Sequence, residues 1–308
     1  MRRHLSMLVT GTAAAMIGVL VAASSAQVNA GPDDSSASRP VNLLSADPNG
    51  IPQAPALPAA PPDPTIGLDV RAKEAATDAA HDGADISFTL LDRSTGRLIS
   101  GGDDAPFPVA SVSKLFIADD LLLQVAKGQR QLTPAEQQSF DVMLRSSDDS
   151  AAEVFWSESG GSAIIGRVAE RYGLTSTSAP YDGNWWNTMS TTADLVRYYD
   201  ELLDGAGGLP ADKAAVILGD LSASTPTGVD GYPQRFGIPD GLFAEPVAVK
   251  QGWMCCWNGG NWLHMSTGVI GSDRRFVLAM AALQPVDDAT ARNTMTQAVK
   301  TMFPGGHI

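Results

Sequence analysis

The chain has 308 residues, 44% of them hydrophobic and 18% charged, enough to bury a large core without disulfide or metal staples and too apolar for wholesale disorder. Its formal charge of −13 becomes −15, with 19 basic against 34 acidic residues, once the two arginines of the export segment described next are set aside. A nucleic-acid partner is therefore not expected. His4, His81, His264 and His307 form no cluster and the only cysteines are the neighbours Cys255 and Cys256, so no metal ligand set can be assembled. We expect neither a metal nor another cofactor.

Arg2 and Arg3 precede an apolar stretch over 5–23, and small residues then lead to Val28-Asn29-Ala30. That pattern predicts a secretory signal peptide over 1–30, cleaved after Ala30 or Ala26, and a secreted, extracytoplasmic protein. The 19 residues of the stretch also approach the roughly 20 that span a bilayer, so an uncleaved segment is the one membrane contact the sequence offers. No cysteine lies near the cleavage region to accept a lipid. Residues 31–64 carry nine of the 20 prolines among Ala, Ser and Asp, which favours an extended, solvated tether. The folded unit is expected over 65–308.

Within that unit the spacing is helical over 66–81, alternates as a strand over 85–91, turns at Ser94-Thr95-Gly96 and returns as a strand over 97–100. Helical patterns follow over 111–126, 134–145, 150–157, 161–172, 191–204 and 211–221. The period then reverts to two over 247–255, 261–269 and 276–283, with Asn258-Gly259-Gly260 as a hairpin signal, before a closing helix over 287–302. The order predicts an α+β fold. An antiparallel sheet flanked by terminal helices would come from about 65–105 and 228–308, with an all-helical insert over about 106–227 and a cleft between them.

Three short motifs carry chemistry. Ser111-Val112-Ser113-Lys114 puts a serine at a helix start and a lysine three positions on, so both side chains share one face. A neutral Lys114 could take the Ser111 proton, and the helix N-terminus supplies amides for an oxyanion. Alone, such a pair occurs about once by chance in a chain of this length and reads as a helix cap. Ser147-Asp148-Asp149 lies between two helical stretches, where Ser and Asp also serve as caps. Lys250-Gln251-Gly252 lies on the first late strand.

In this order the motifs resemble the S-x-x-K, S-D-N and K-T-G signature of the penicillin-recognising serine enzymes, most closely the class A β-lactamase-like branch of the serine β-lactamase and penicillin-binding protein superfamily. The resemblance implies a β-lactamase/transpeptidase-like fold over about 66–304. It implies Ser111 as the acyl-forming nucleophile, Lys114 as its base, Ser147 as the donor to the leaving atom and Lys250 as its electrostatic support. The oxyanion hole would be the amides of Ser111 and Trp253, and Asp149, Gln251 and Gly252 would border the substrate. Lys114 must then lose its proton near pH 7, a shift of about three units or roughly 4 kcal/mol.

The departures bear on that shift. Asp149 stands where the family has asparagine. Its charge would favour protonated Lys114 and repel a substrate carboxylate, by roughly 4 kcal/mol at about 4 Å and an effective dielectric of 20. Gln251 replaces the threonine that helps grip the same carboxylate, its amide donating from a longer arm. No Glu lies between Leu174 and Thr191 to match the deacylating glutamate, and the one carboxylate there, Asp182, is the remaining candidate to orient a water. Trp185 and Trp186 beside it wall the cleft or pack the loop. Cys255 and Cys256, at the rim, are a vicinal bridge or two thiols on opposite faces.

Two functions remain open. One is an exported serine hydrolase, expected to be a monomer, acting through an acyl-serine on a β-lactam, a cell-wall peptide or a small ester. The other is a non-catalytic envelope protein that binds a ligand or partner in an altered cleft.

Overall fold

The computed structural model describes residue 63 and residues 65–308, so the export segment over 1–30 and the tether over 31–64, Asp63 apart, lie outside the described residues. Helix α1 (Leu68–His81) leads into the hairpin β1 (Asp85–Asp92) and β2 (Arg97–Gly101). A two-residue strand β3 (Phe107–Pro108) and a 3₁₀ turn over Ala110–Ser113 then open α2 (Lys114–Ala126). Helices α3 (Pro134–Arg145), α4 (Asp149–Glu158) and α5 (Ala163–Tyr172) follow, then the short strand β4 (Met189–Ser190), α6 (Thr192–Asp204), α7 (Ala211–Ser222) and the single turn α8 (Ile238–Gly241). Strands β5 (Val247–Trp257), β6 (Asn261–Ile270) and β7 (Phe276–Gln284) return to the sheet, and α9 (Asp288–Met302) closes the chain.

The sheet runs β2-β1-β7-β6-β5, antiparallel throughout, so the first and last strands of the sequence meet where Asp85–Asp92 pairs with β7. Both faces are covered, which is why its strands read as nearly continuous apolar runs. On β7 the alternation is complete. Leu278, Met280 and Ala282 face a core shared with Leu68, Ala72, Met295 and Val299 of α1 and α9. Val277, Ala279 and Ala281 face the helical part with Leu195, Tyr198 and Tyr199 of α6. Strand β5 is left at the sheet edge, beside the 3₁₀ turn before α2.

Helix α2 is buried without a break from Lys114 to Leu123. Its two acids are satisfied inside the helical part. Asp119, with no exposed surface, pairs with Arg171 and accepts from the Tyr172 hydroxyl, and Asp120 takes a bidentate contact from Arg167 at 2.9 and 2.7 Å. Burial pushes the Asp119 carboxyl up, with Arg171 and Tyr172 opposing. Because α2 carries Lys114 at its start, this anchorage holds the candidate base.

The expected helix over 111–126 begins as the 3₁₀ turn, which eclipses side chains three apart instead of offsetting them. Strands β3 and β4 and the turn α8 escape sequence patterning because two to four residues display no period. The two cysteines are bonded to each other, exposed, at a bulge of β5 between Met254 and Trp257.

Removing the Asp119 carboxylate leaves Arg171 without its buried partner. Asp119→Ala is expected to lower unfolding free energy by about 3–5 kcal/mol in urea titration, and a loss within about 0.5 kcal/mol would show that α2 is held by apolar packing alone.

Candidate active site

The site assembles where three pieces of backbone meet. The first is the 3₁₀ turn. Ser111 lies directly over Lys114 there, and Oγ and Nζ are 3.0 Å apart. Ala110, just before the serine, holds φ at 47°, a left-handed conformation that L-residues adopt only when their surroundings impose it. The second piece is the bridge between α3 and α4, where Ser147 holds φ at 55° and turns its hydroxyl and carbonyl toward Lys114 Nζ, at 3.1 and 2.6 Å. Asp148 caps α4 by accepting the Ser150 and Ala151 amides. The third is β5, from which Lys250 Nζ reaches Ser147 Oγ at 2.9 Å and its neighbour's carbonyl, Gln251 O, at 2.9 Å.

A continuous chain results: Ser111 Oγ, Lys114 Nζ, Ser147 Oγ, Lys250 Nζ. Lys114 and Lys250 are at most 1% exposed, Ser111 and Ser147 are 7% and 6% exposed. Burial pushes Lys250 well below the ordinary lysine range, and the Lys114 amine beside it pushes the same way. Lys114 is also lowered, by burial, against the opposing pull of Asp149, Asp148 and Asp230. Neutral amines are the cheaper state in such a pocket, since an unpaired ammonium loses its hydration.

Gly252 brings β5 against the serine turn. A Cβ there would lie 2.9 Å from Val109 O, 3.2 Å from Val112 Cγ2 and 3.4 Å from Ala110 Cβ, so the approach demands glycine. Trp253, whose amide follows that contact by one residue, stacks its ring on Tyr232 with centroids 4.3 Å apart. The loop carrying Tyr232 is tied to the α3 end, through Val229 N to Ser146 O at 2.8 Å and Thr225 N to Arg145 O at 2.9 Å.

Three further candidates are placed as follows. Asp149 forms a 2.6 Å ion pair with Lys114 Nζ while its side chain stays 70% exposed, so it borders the opening and touches the base directly. Gln251 does not offer its amide to a substrate: Nε2 donates to Gln234 O at 3.1 Å and Phe236 O at 2.6 Å, and the residue is 2% exposed. The glutamine therefore ties β5 to the 234–236 segment, and Gln234 Nε2 in turn holds Arg145 O at 3.0 Å. Asp182 is exposed and committed to its own turn, accepting from the Asn184 amide at 3.0 Å and from the Asn184 and Asn187 side chains at 2.7 Å each. Slight desolvation notwithstanding, those bonds hold its carboxyl below the usual range, and no hydrogen bond joins it to Ser111, Lys114 or Ser147.

What the loop presents to the base is a ring. Trp185, 3% exposed, lies with its centroid 4.8 Å from Lys114 Nζ, and Trp186 packs edge-on against it. The β3–β4 ladder fixes that placement, pairing Phe107 with Ser190 and Pro108 with Met189 just before the serine turn, and Val109 N adds a 2.8 Å bond to Thr188 O. Next to the site, Tyr232 stacks on Trp253 with its hydroxyl engaged by His264 and Asp288, and Asp230 adds a negative charge that acts on both lysines. Only turn residues signalled their segment in the sequence, and nothing there marked it as facing two lysines.

Asp149→Asn removes the nearest group that raises Lys114. The amine's titration should move to lower pH and modification of Ser111 at pH 7 should accelerate by about tenfold for each unit of that fall, read from pH–rate profiles. An unchanged profile would mean that the ion pair does not control the base.

No family model matches the chain. Proteins named "Putative lipoprotein LppW" from Mycobacterium bovis and Mycobacterium tuberculosis are 61% identical to it over 255 residues, covering 82% of this chain and 81% of theirs. Among solved structures, a β-lactamase from Chitinophaga pinensis superposes with a TM-score of 0.61 at 14% identity, covering 76% of this chain and 98% of its own. PBP-A superposes at 0.63 and 17% identity, covering 76% and 94%. A PBP-A variant solved as an acyl-enzyme complex with penicillin G superposes at 0.64 and 17% identity, covering 79% and 97%. At such identities the likeness establishes the fold, which is that of the β-lactamase and penicillin-binding superfamily.

Proposed function

The chain belongs to the LppW family and has the β-lactamase-like fold, and from that premise we propose that it is an exported serine hydrolase working through an acyl-serine at Ser111. The observation that carries the reading is the unbroken contact chain from Ser111 Oγ to Lys114 Nζ, Ser147 Oγ and Lys250 Nζ, at 3.0, 3.1 and 2.9 Å. Ser111 Oγ would bond to the substrate carbonyl carbon while its proton passes to Lys114 Nζ. As the carbon–nitrogen or carbon–oxygen bond breaks, Ser147 Oγ would protonate the departing atom and recover its proton from Lys114, with Lys250 supporting the relay. The Ser111 and Trp253 amides would bind the oxyanion.

Deacylation is the weak step in this scheme. Lys114 is covered on the loop side by the Trp185 ring, and Asp182 is occupied by Asn184 and Asn187. Neither supplies a base for water, so the acyl-enzyme would outlast its formation. Substrates of this kind include a β-lactam, a cell-wall peptide or a small ester. The lipoprotein name of the relatives supports an envelope location. The segment over 1–30 would direct export. Among the described residues no helix is long and apolar enough to cross a membrane.

The ion pair of Asp149 with Lys114 favours a second reading, a non-catalytic binding protein in which the amine stays protonated. Intact-mass analysis after exposure to an uncharged fluorophosphonate separates the two. The hydrolase reading predicts one adduct that maps to Ser111, is absent in Ser111→Ala, and decays more slowly than it forms. Folded protein that gains no adduct would leave the binding reading standing.

A further inference from the structure

The charges that act most strongly on the two lysines from outside the pair are negative. Asp149 and Asp148 act on Lys114 from the start of α4, and Asp230 acts on both amines from the loop after α7. On Lys250 the acting charges are Lys114, Asp149 and Asp230, with no arginine among them. The groups that could receive an anion are spent or uncharged. Both lysine amines are driven toward neutrality by burial, both Gln251 amide hydrogens are given to backbone carbonyls, and the α4 amides are capped by Asp148. Asp149 and Asp230 are meanwhile exposed, so a ligand entering the opening meets their carboxylates in water-accessible positions.

We propose that the site selects ligands bearing a positive charge, and rejects those bearing a carboxylate, beside the bond to be broken, with Asp149 and Asp230 as the specificity-determining residues. This rests on the acyl-serine reading for the words about bond breaking, while the charge preference itself is a matter of binding. The chemical class is a cationic ester or amide, an amine-bearing acyl donor. Two carboxylates at one opening attract such a ligand in encounter and disfavour its anionic counterpart twice over, once by repulsion and once by withholding a donor.

The test uses three matched phenylacetyl compounds that differ in one terminal group, a trimethylammonium, a methyl ester or a carboxylate. Each is prepared as a reactive aryl ester and as an unreactive amide. Calorimetry with the amides reads binding, and intact mass with the esters reads acylation of Ser111, at low and high salt. The cation is expected to bind at least about tenfold more tightly than the carboxylate. In the binding of the amides the gap should narrow at high salt and close in Asp149→Asn/Asp230→Asn, whereas Ser111 labelling by the esters is compared only within each protein because Asp149 also acts on Lys114. Equal binding of all three, or tightest binding of the carboxylate, overturns the proposal whatever Ser111 does. If the cationic amide binds preferentially but no ester labels Ser111, the selectivity stands and the acyl-serine reading falls.

Discussion

Two amines buried around one hydroxyl are the constraint on which the rest of the site depends. An ammonium removed from water costs several kcal/mol unless it is paired, and two adjacent ammoniums repel as well. The fold lowers both amines by burial and then places Ser147 Oγ between them, so a proton can rest on one, the other or the hydroxyl. No single element could do this. The 3₁₀ turn aligns Ser111 with Lys114, the strained bridge between α3 and α4 inserts Ser147, and the edge strand β5 brings Lys250 from a stretch more than a hundred residues away.

The substitutions around that core act together. Asp149 pulls Lys114 back toward its charged form by pairing with it, whereas Trp185 lays an apolar ring over the same amine. Gln251 serves the architecture, tying β5 to the 234–236 segment and through Gln234 to the carbonyl of Arg145, the last residue of α3. Gln251 and Trp185 thus meet protein where substrate or water could meet them, while Asp149 stays largely exposed at the opening. The outcome is a site with the proposed nucleophile and relay in contact, Asp149 exposed at its opening and both oxygens of Asp182 taken by its own turn.

Much of the fold was legible because its elements are long and periodic. The alternation of β7 and the heavily apolar α2 mark a sheet covered on both faces and a central helix, and the four relay residues follow from ordered motifs. What could not be read depends on direction more than on residue type. Gln251 has the donors expected of it, but the bend at 234–236 supplies carbonyls that claim them. Asp182 has the right charge, but two asparagines within five residues capture it. Asp230 is an ordinary turn residue until the ties of Val229 and Thr225 to the α3 end bring its loop to the lysines. Long-range placement of short loops carries no periodic signal.

That burial lowers both Lys114 and Lys250 from the ordinary lysine range is open to direct measurement. Lysine side-chain resonances of the isotope-labelled protein can be followed through a pH titration, with Lys114→Arg and Lys250→Arg identifying the two signals. The account predicts that both amines titrate below the ordinary lysine value of about 10.4, Lys250 well below it and the lower of the two. Two signals titrating at that ordinary value in folded protein would contradict it.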